Sequence, residues 1–279
     1  MTSSSLTLVL PAFNEAERIG PALDELFGYL RRRGQAARDG APGSGHLPER
    51  IEVLVVDDGS TDGTADLVRA RPEADTAGSG SNSPSLEVIT VLHGGKGAAV
   101  RAGMLHAQSD LIVFTDADMA TPPDMIPLLV EALADHDVAL GSRIQPDGSD
   151  MRKSQPVYRR LLGKAFHVLA SVWVVGPVKD TQCGFKGFTR ASARDLFERQ
   201  RVRSIVFDVE LIYLARHRGY RLAVVPVRWS DRRGSRMRAS PGLAMRVAWD
   251  LFRIPLIHRA RRRAGTEELQ PPAGPTRAD

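Results

Sequence analysis

Cysteine is almost missing from this chain: Cys183 is the sole one in 279 residues. One thiol cannot form a disulfide within the chain, and a site built from several cysteines is excluded. A reducing compartment is the easier setting for such a composition. Long apolar runs are missing as well. No stretch reaches the ~18–20 uninterrupted apolar residues that span a bilayer. The N-terminus, MTSSSLTLVLPAFNE, lacks a charged leading region and meets Pro11 too soon for a signal peptide. The expectation is a cytoplasmic chain that is soluble or lies on a membrane without crossing it. Aromatics are scarce at 6% and are not interleaved with the arginines, which argues against nucleic-acid binding.

What is present is ordinary globular composition with a mild basic excess. The 38 Lys+Arg against 33 Asp+Glu give a net charge of +5, with 42% hydrophobic residues. That suits anionic partners without choosing among nucleic acid, lipid and phosphorylated ligands. The length allows one large domain or two small ones.

Read along the chain, Leu6–Leu10 is a short apolar run and so a buried strand. Asn14 is positioned to cap a helix from Glu15 to about Arg33. Residues 34–50 are a loose Gly/Pro/Ala insertion. Ile51–Val56 is a second strand, followed by DDGSTDGT and a helix over Thr64–Arg71. Residues 72–85 form another low-complexity loop. Leu86–Leu92 is a third strand, Gly97–Gln108 a helix and Leu111–Thr115 a fourth strand. Strands alternating with helices predict a mostly parallel sheet with helices on both faces. Such sheets bind ligands at the carboxyl ends of their strands. The second half is less regular. Helices are expected over Met125–Asp135, 159–176, Ile205–Arg218 and Gly242–Arg259, with strands at Val138–Gly141 and Arg221–Trp229.

The stretch VFTDADMATP (113–122) places Asp116 and Asp118 at a strand's end. A lone pair of this kind is short and common, and a helix cap plus a loop charge would account for it. Its company changes the reading. Two carboxylates so close repel, and Mg²⁺ typically binds one or two carboxylates plus substrate phosphates. Lys96, set among Gly94, Gly95 and Gly97 at a helix start, adds a phosphate-binding feature. Asp57 and Asp58 follow a buried strand, at the sheet edge where an acid commonly bonds a ribose or base.

Taken together, LVLPAFNEAERI (8–19), VLVVDDGSTDGTADL (53–67), GGKGAAVRAGM (94–104) and FTDADMATPPDMI (114–126) resemble the family 2 glycosyltransferases of GT-A fold. LGSR (140–143), DTQCGFKGFTR (180–190), FDVELIYLA (207–215) and SDRRGSRM (230–237) extend the resemblance to the branch that makes polyprenyl- or dolichyl-phosphate sugars. The similarity is greatest to the dolichyl-phosphate glucosyltransferases. It implies an α/β, Rossmann-like GT-A domain over 1–260, with amphipathic helices towards the C-terminus. Residues 1–120 would be the nucleotide-binding half, 121–260 the acceptor half and 261–279 a disordered tail.

The resemblance also implies roles. Pro11, Ala12, Asn14, Glu15, Asp57 and Asp58 would hold the nucleotide, with Lys96 and Ala117 near its phosphates. Asp116 and Asp118 would hold Mg²⁺ or Mn²⁺ on the diphosphate. Arg236 would add a cation on that side, Asp180 would contact the sugar, and Arg143 would receive the acceptor phosphate. Asp208 and Glu210 stand where relatives with hydroxyl acceptors carry a base. Two residues apart, they lie about 200° apart around a helix, so one of them faces the site. Cys183 reads as a small packed residue rather than a nucleophile.

The expected reaction is inverting transfer of a sugar from a nucleotide diphosphate-sugar to a polyprenyl phosphate. UDP-glucose is favoured by DTQCGFK. GDP-mannose, a non-lipid acceptor and a non-catalytic nucleotide-sugar-binding module are the alternatives. A lipid acceptor requires a membrane surface. In 243–258, Arg246, Asp250 and Arg253 make one polar stripe on an otherwise apolar helix. Lys164, His167 and Ser171 do the same in 161–175, and both helices have arginines beside them. Trp173 and Trp249 suit the headgroup level, so peripheral attachment to the cytoplasmic membrane face is expected. Packing of these helices across a homodimer is the other reading.

Overall fold

The computed structural model describes residues 5–39, 47–75, 83–151, 166, 170–176, 178, 180–231 and 241–265. Seven strands form one sheet: β1 (Ser5–Ala12), β2 (Arg50–Asp57), β3 (Ser85–Thr90), β4 (Leu111–Thr115), β5 (Val138–Ser142), β6 (Phe185–Thr189) and β7 (Leu222–Pro226). Their order is β3-β2-β1-β4-β6-β5-β7. β6 alone runs antiparallel, between β4 and β5. The order reverses between β1 and β4, which puts a crevice beyond their carboxyl ends.

The helices are α1 (Ala16–Arg38), α2 (Thr64–Arg69), α3 (Lys96–His106), α4 (Ile126–Ala132), α5 (Arg190–Arg199), α6 (Phe207–His217) and α7 (Pro241–Gly265). The strands' period of two feeds two cores. Leu8, Leu10, Val53, Val55 and Val113 pack with Leu23, Leu26 and Phe27 of α1 on one face. Val9, Leu54, Val56, Ile112 and Phe114 pack with α3, α5 and α6 on the other. Each fully buried side chain of this size contributes about 1.5–3 kcal/mol.

Several expectations need correction. Asn14 does not cap α1: Glu15 holds the cap position, no side chain of its own satisfies it, and Asn14 takes φ 53°. α1 runs five residues past Arg33, to Arg38, into the expected insertion. β6 and α5 were not foreseen, because Phe-Lys-Gly-Phe matches neither a continuous apolar run nor apolar–polar alternation. The polar stripe of α7 is divided: Asp250 is turned inward, Arg253 is partly exposed and Arg246 is exposed. Asp250 is buried, accepts a hydrogen bond from Ser204 Oγ at 2.6 Å and pairs with Arg253 at 3.0 Å. α7 also continues to Gly265, past the expected start of the tail at 261; 266–279 lie outside the described residues. So does most of the apolar helix expected over 159–176. Its described end, Ser171–Val175, is a π-helical turn.

α3 meets the sheet at Gly103. A Cβ there would lie 2.5 Å from Val9 Cγ1 and 2.7 Å from Val56 Cγ2. Gly103→Ala is therefore expected to cost about 1–3 kcal/mol through overpacking, despite alanine's better helix propensity. Urea unfolding of the two proteins checks this; a stabilised variant would contradict the packing described.

Candidate active site

The end of β2 and the loop after it carry three acids, and each has a different duty. Asp62, with Ser60 and Thr64, supplies the cap that α1 lacks. Ser60 Oγ accepts from Asn14 N (2.8 Å), Thr64 Oγ1 from Glu15 N (2.8 Å) and Asp62 Oδ2 from Ala16 N (3.1 Å). Asn14 returns the contact, its Oδ1 accepting from Thr61 N at 2.9 Å. The motif after β1 and the motif after β2 thus hold each other. Asp58 is buried and binds across to the glycine loop, accepting from Gly94 N (2.8 Å) and Gly95 N (2.9 Å). His93 Nδ1 lies 2.9 Å from the same carboxylate, and its ring stacks on Phe13 at 4.3 Å. Asp57 remains. It lies at the wall of a cavity of about 420 Å³ shared with Ser60, Thr61, Arg69 and Thr90.

Asp116 and Asp118 follow β4 at the crevice. Lys96 Nζ reaches Asp116 Oδ1 at 2.5 Å. Gly184 is indispensable here: a Cβ on it would fall 2.2 Å from Asp116 Oδ2. Burial works against the Lys96 ammonium, but Asp116 and then Asp208 hold it above the ordinary lysine value. α3 begins at Lys96, and Gly97 leaves no room for a side chain against the Arg203 carbonyl.

α6 sorts its two acids by face. Asp208 looks toward the crevice, within electrostatic reach of Lys96 and Asp116. Its Oδ1 accepts from Lys186 Nζ at 2.6 Å, and the same ammonium bonds the Cys183 carbonyl at 2.6 Å. Burial pushes the Asp208 carboxyl up, against the pull of Lys186 and Lys96. Glu210 looks away. It accepts from Arg201 N and Val202 N, both at 2.8 Å, and meets His258 of α7 at 2.7 Å.

Arg143 and Asp180 form one unit. The guanidinium fork bonds the carboxylate at 2.8 and 2.7 Å, and Arg143 N adds a third bond at 2.9 Å. The arginine also lies over the Trp229 ring at 5.6 Å. Burial pushes the Cys183 thiol up to about 12, which suits a packed residue. Pro11 and Ala12 close β1 at the crevice mouth, and Ala117 is buried between the two aspartates. Arg236, with Arg232 and Arg233, lies outside the described residues, as do Arg152, Lys153, Arg159 and Arg160.

Sequence reasoning missed Lys186 and Gly184. A lysine between apolar residues of FKGF was the available signal, since a buried lysine requires an acid partner.

The charges nearly cancel in pairs: Lys96 with Asp116, Lys186 with Asp208, Arg143 with Asp180. Among the described residues Asp118 has no ion-pair partner. Burial, then the charge of Asp116, raises its carboxyl above the usual range. Two adjacent carboxylates, one unpaired, fit a hard divalent cation whose remaining ligands come from a diphosphate and water.

An acid-lined crevice at the carboxyl ends of a mostly parallel, helix-covered sheet defines an α/β enzyme of the doubly wound class. Comparison with known proteins makes this specific. Residues 7–197 match the model for glycosyl transferase family 2. The chain is 37% identical, over 262 residues, to a dolichyl-phosphate beta-glucosyltransferase of Trichomonas vaginalis, across 91% of this chain and 72% of that one. The protein of that description in Homo sapiens is 33% identical over 84% of this chain and 70% of its own length. Solved structures of glucosyl-3-phosphoglycerate synthase from Mycobacterium tuberculosis share the fold. The complex with phosphoglyceric acid has a TM-score of 0.58 at 20% identity, over 90% of this chain and 80% of that one. A complex with Mn²⁺, UDP and glucosyl-3-phosphoglycerate has a TM-score of 0.54 at 19% identity, over 91% and 79%. The chain belongs to glycosyl transferase family 2, is a glycosyltransferase and has the GT-A fold.

The buried Lys186–Asp208 pair makes a sharp stability prediction. Lys186→Met strands a buried carboxylate and should cost about 3–5 kcal/mol. Lys186→Met with Asp208→Asn removes the stranded charge and should recover a large part of that loss in urea unfolding. Equal losses in single and double variants would mean that the pair is not coupled.

Proposed function

We propose that this glycosyltransferase moves glucose from UDP-glucose to a dolichyl or other polyprenyl phosphate, with inversion at the anomeric carbon. One observation carries the choice of acceptor: both acids of α6 that could serve as a general base are engaged by protein groups, Glu210 at both oxygens and Asp208 at one. Glu210 is spent on backbone N–H groups, and Asp208 Oδ1 is held by the buried Lys186 ammonium. A sugar hydroxyl needs such a base. A phosphate monoester does not, being mostly a dianion at neutral pH. The related dolichyl-phosphate beta-glucosyltransferases support the same reading.

In the proposed reaction an acceptor phosphate oxygen attacks the anomeric carbon as the bond to the diphosphate breaks, and UDP departs. Asp116 and Asp118 would hold Mg²⁺ or Mn²⁺, which stabilises charge on the leaving diphosphate when bound. Lys96 would add a cation on the same side. Asp57 would bond the base or ribose in its cavity, with Pro11, Ala12, Asn14 and Glu15 shaping the entrance. Asp58 would act through the glycine loop that it fixes. Asp208 would orient the sugar. Arg143, already oriented by Asp180, would meet the acceptor phosphate; positioning is then the main demand on the protein.

Radiolabelled UDP-glucose, Mn²⁺ and a polyprenyl phosphate should give label extractable into organic solvent. Asp118→Ala should lower it at least ~10²-fold. GDP-mannose in parallel names the donor, and label from it alone would replace glucose by mannose. Persistent donor binding with no lipid label would reject the acceptor.

A lipid acceptor also needs a surface to meet it. Among the described residues no helix is long and apolar enough to cross a membrane. α7 instead presents Met245, Trp249, Phe252 and Leu256 on one face, 47–72% exposed, while Leu251 and Ile254 on the opposite face are buried. Trp173 stacks on Phe252 at 5.7 Å and extends the patch. We assign this face to the membrane interface, next to the arginines 259 and 261–263 in sequence. The purified protein should sediment with anionic liposomes at low salt, and Trp249→Ser with Phe252→Ser should reduce that by about tenfold or more. Indifference to liposomes, with a dimer in solution that the double variant dissolves, would assign the face to a second copy instead.

A further inference from the structure

Two lysines serve the acids of this crevice, and they are placed very differently. Lys186 and Asp208 are 0% and 5% exposed, and the lysine is further held by the Cys183 carbonyl. Lys96 and Asp116 are 33% and 36% exposed, so solvent reaches this pair. A buried pair is fixed, because separating it leaves a charge without solvent. A partly exposed pair is weak and is surrendered at little cost to a stronger partner. Lys96 also lies within electrostatic reach of Asp118 and Asp208.

We propose that Lys96 is an exchangeable cation: it neutralises Asp116 until a divalent ion takes that carboxylate, and its released ammonium then binds the donor diphosphate. The inference rests on the assignment of Asp116 and Asp118 as metal ligands. It goes beyond it by giving one side chain two partners in sequence, making Lys96 a positioning residue that couples metal binding to donor binding. Ion and donor then depend on the lysine in opposite senses. Without donor, Lys96 competes with the ion. With donor, it assists.

The exchange is readable without any turnover. The chain has five lysines, so ¹³C-dimethylation of lysines gives a short spectrum in which the Lys96 signal is the one missing from Lys96→Arg. Adding Mg²⁺ alone should shift that signal. In Lys96→Met, Mn²⁺ alone, followed by electron paramagnetic resonance, should bind about threefold more tightly than in the parent. UDP added with Mn²⁺ should bind about tenfold more weakly. Lys96→Arg should restore most of the UDP affinity. A Lys96 signal unmoved at saturating Mg²⁺, or unchanged Mn²⁺ affinity in Lys96→Met, would overturn the exchange while leaving the metal site standing. Failure of the parent protein to bind either ion, with UDP still bound, would remove the metal assignment and this inference with it.

Discussion

Like charges cannot be gathered at one end of a sheet unless cations stand among them. Asp116, Asp118 and Asp208 converge on one crevice, and that convergence dictates much of their surroundings. Lys186 sits fully buried in a strand because Asp208 requires it, and Asp208 tolerates burial because Lys186 is there. Gly184 is glycine because the Asp116 carboxylate occupies the space of a side chain. β6, the antiparallel strand that carries Lys186 and starts directly after Gly184, is therefore a structural element and the floor of the site at once.

A second set of constraints keeps the crevice in shape. The loop after β2 caps α1, clamps the glycine loop and returns a hydrogen bond to Asn14. No one of these bonds is strong, but together they fix three strand ends relative to one another. Segment 200–206 does the same on the other flank. Arg203 O accepts from Gly97 N at 3.0 Å, Gln200 Nε2 donates to Gly97 O at 2.9 Å, and Ser204 bonds Asp250 of α7. The glycine turn at Lys96 and the helix with the exposed aromatic face are thereby braced by one short segment. Donor-side and surface-side features share that support.

The doubly wound half was legible from periodicity, since each of its strands is an apolar run followed by a motif. Asp116 and Asp118 were legible as a pair, and Lys96 as a cation beside glycines. Partnership was not legible. Asp58 and Asp57 are adjacent in sequence, yet one reaches across to the glycine loop, while the other accepts from Ser60 N close by in sequence and lines a cavity. Asp208 and Glu210 were separable in principle by helix geometry, but which one faces the crevice depends on what packs against α6.

The amino-acid sequence by itself determined the strand–helix alternation, the acids at strand ends and the family to which the chain belongs. Those are local or one-dimensional properties: an apolar run, a spacing, a motif. Tertiary structure alone decided which acids are neutralised, that β6 inserts antiparallel with a buried lysine, and that Asp250 of α7 turns inward to Ser204. The physical reason is that the choice of partner in an ion pair between residues 22 or 37 apart, such as Lys186–Asp208 or Arg143–Asp180, has no signature in sequence. It exists only when the fold brings the partners together and excludes the water that would otherwise solvate each alone.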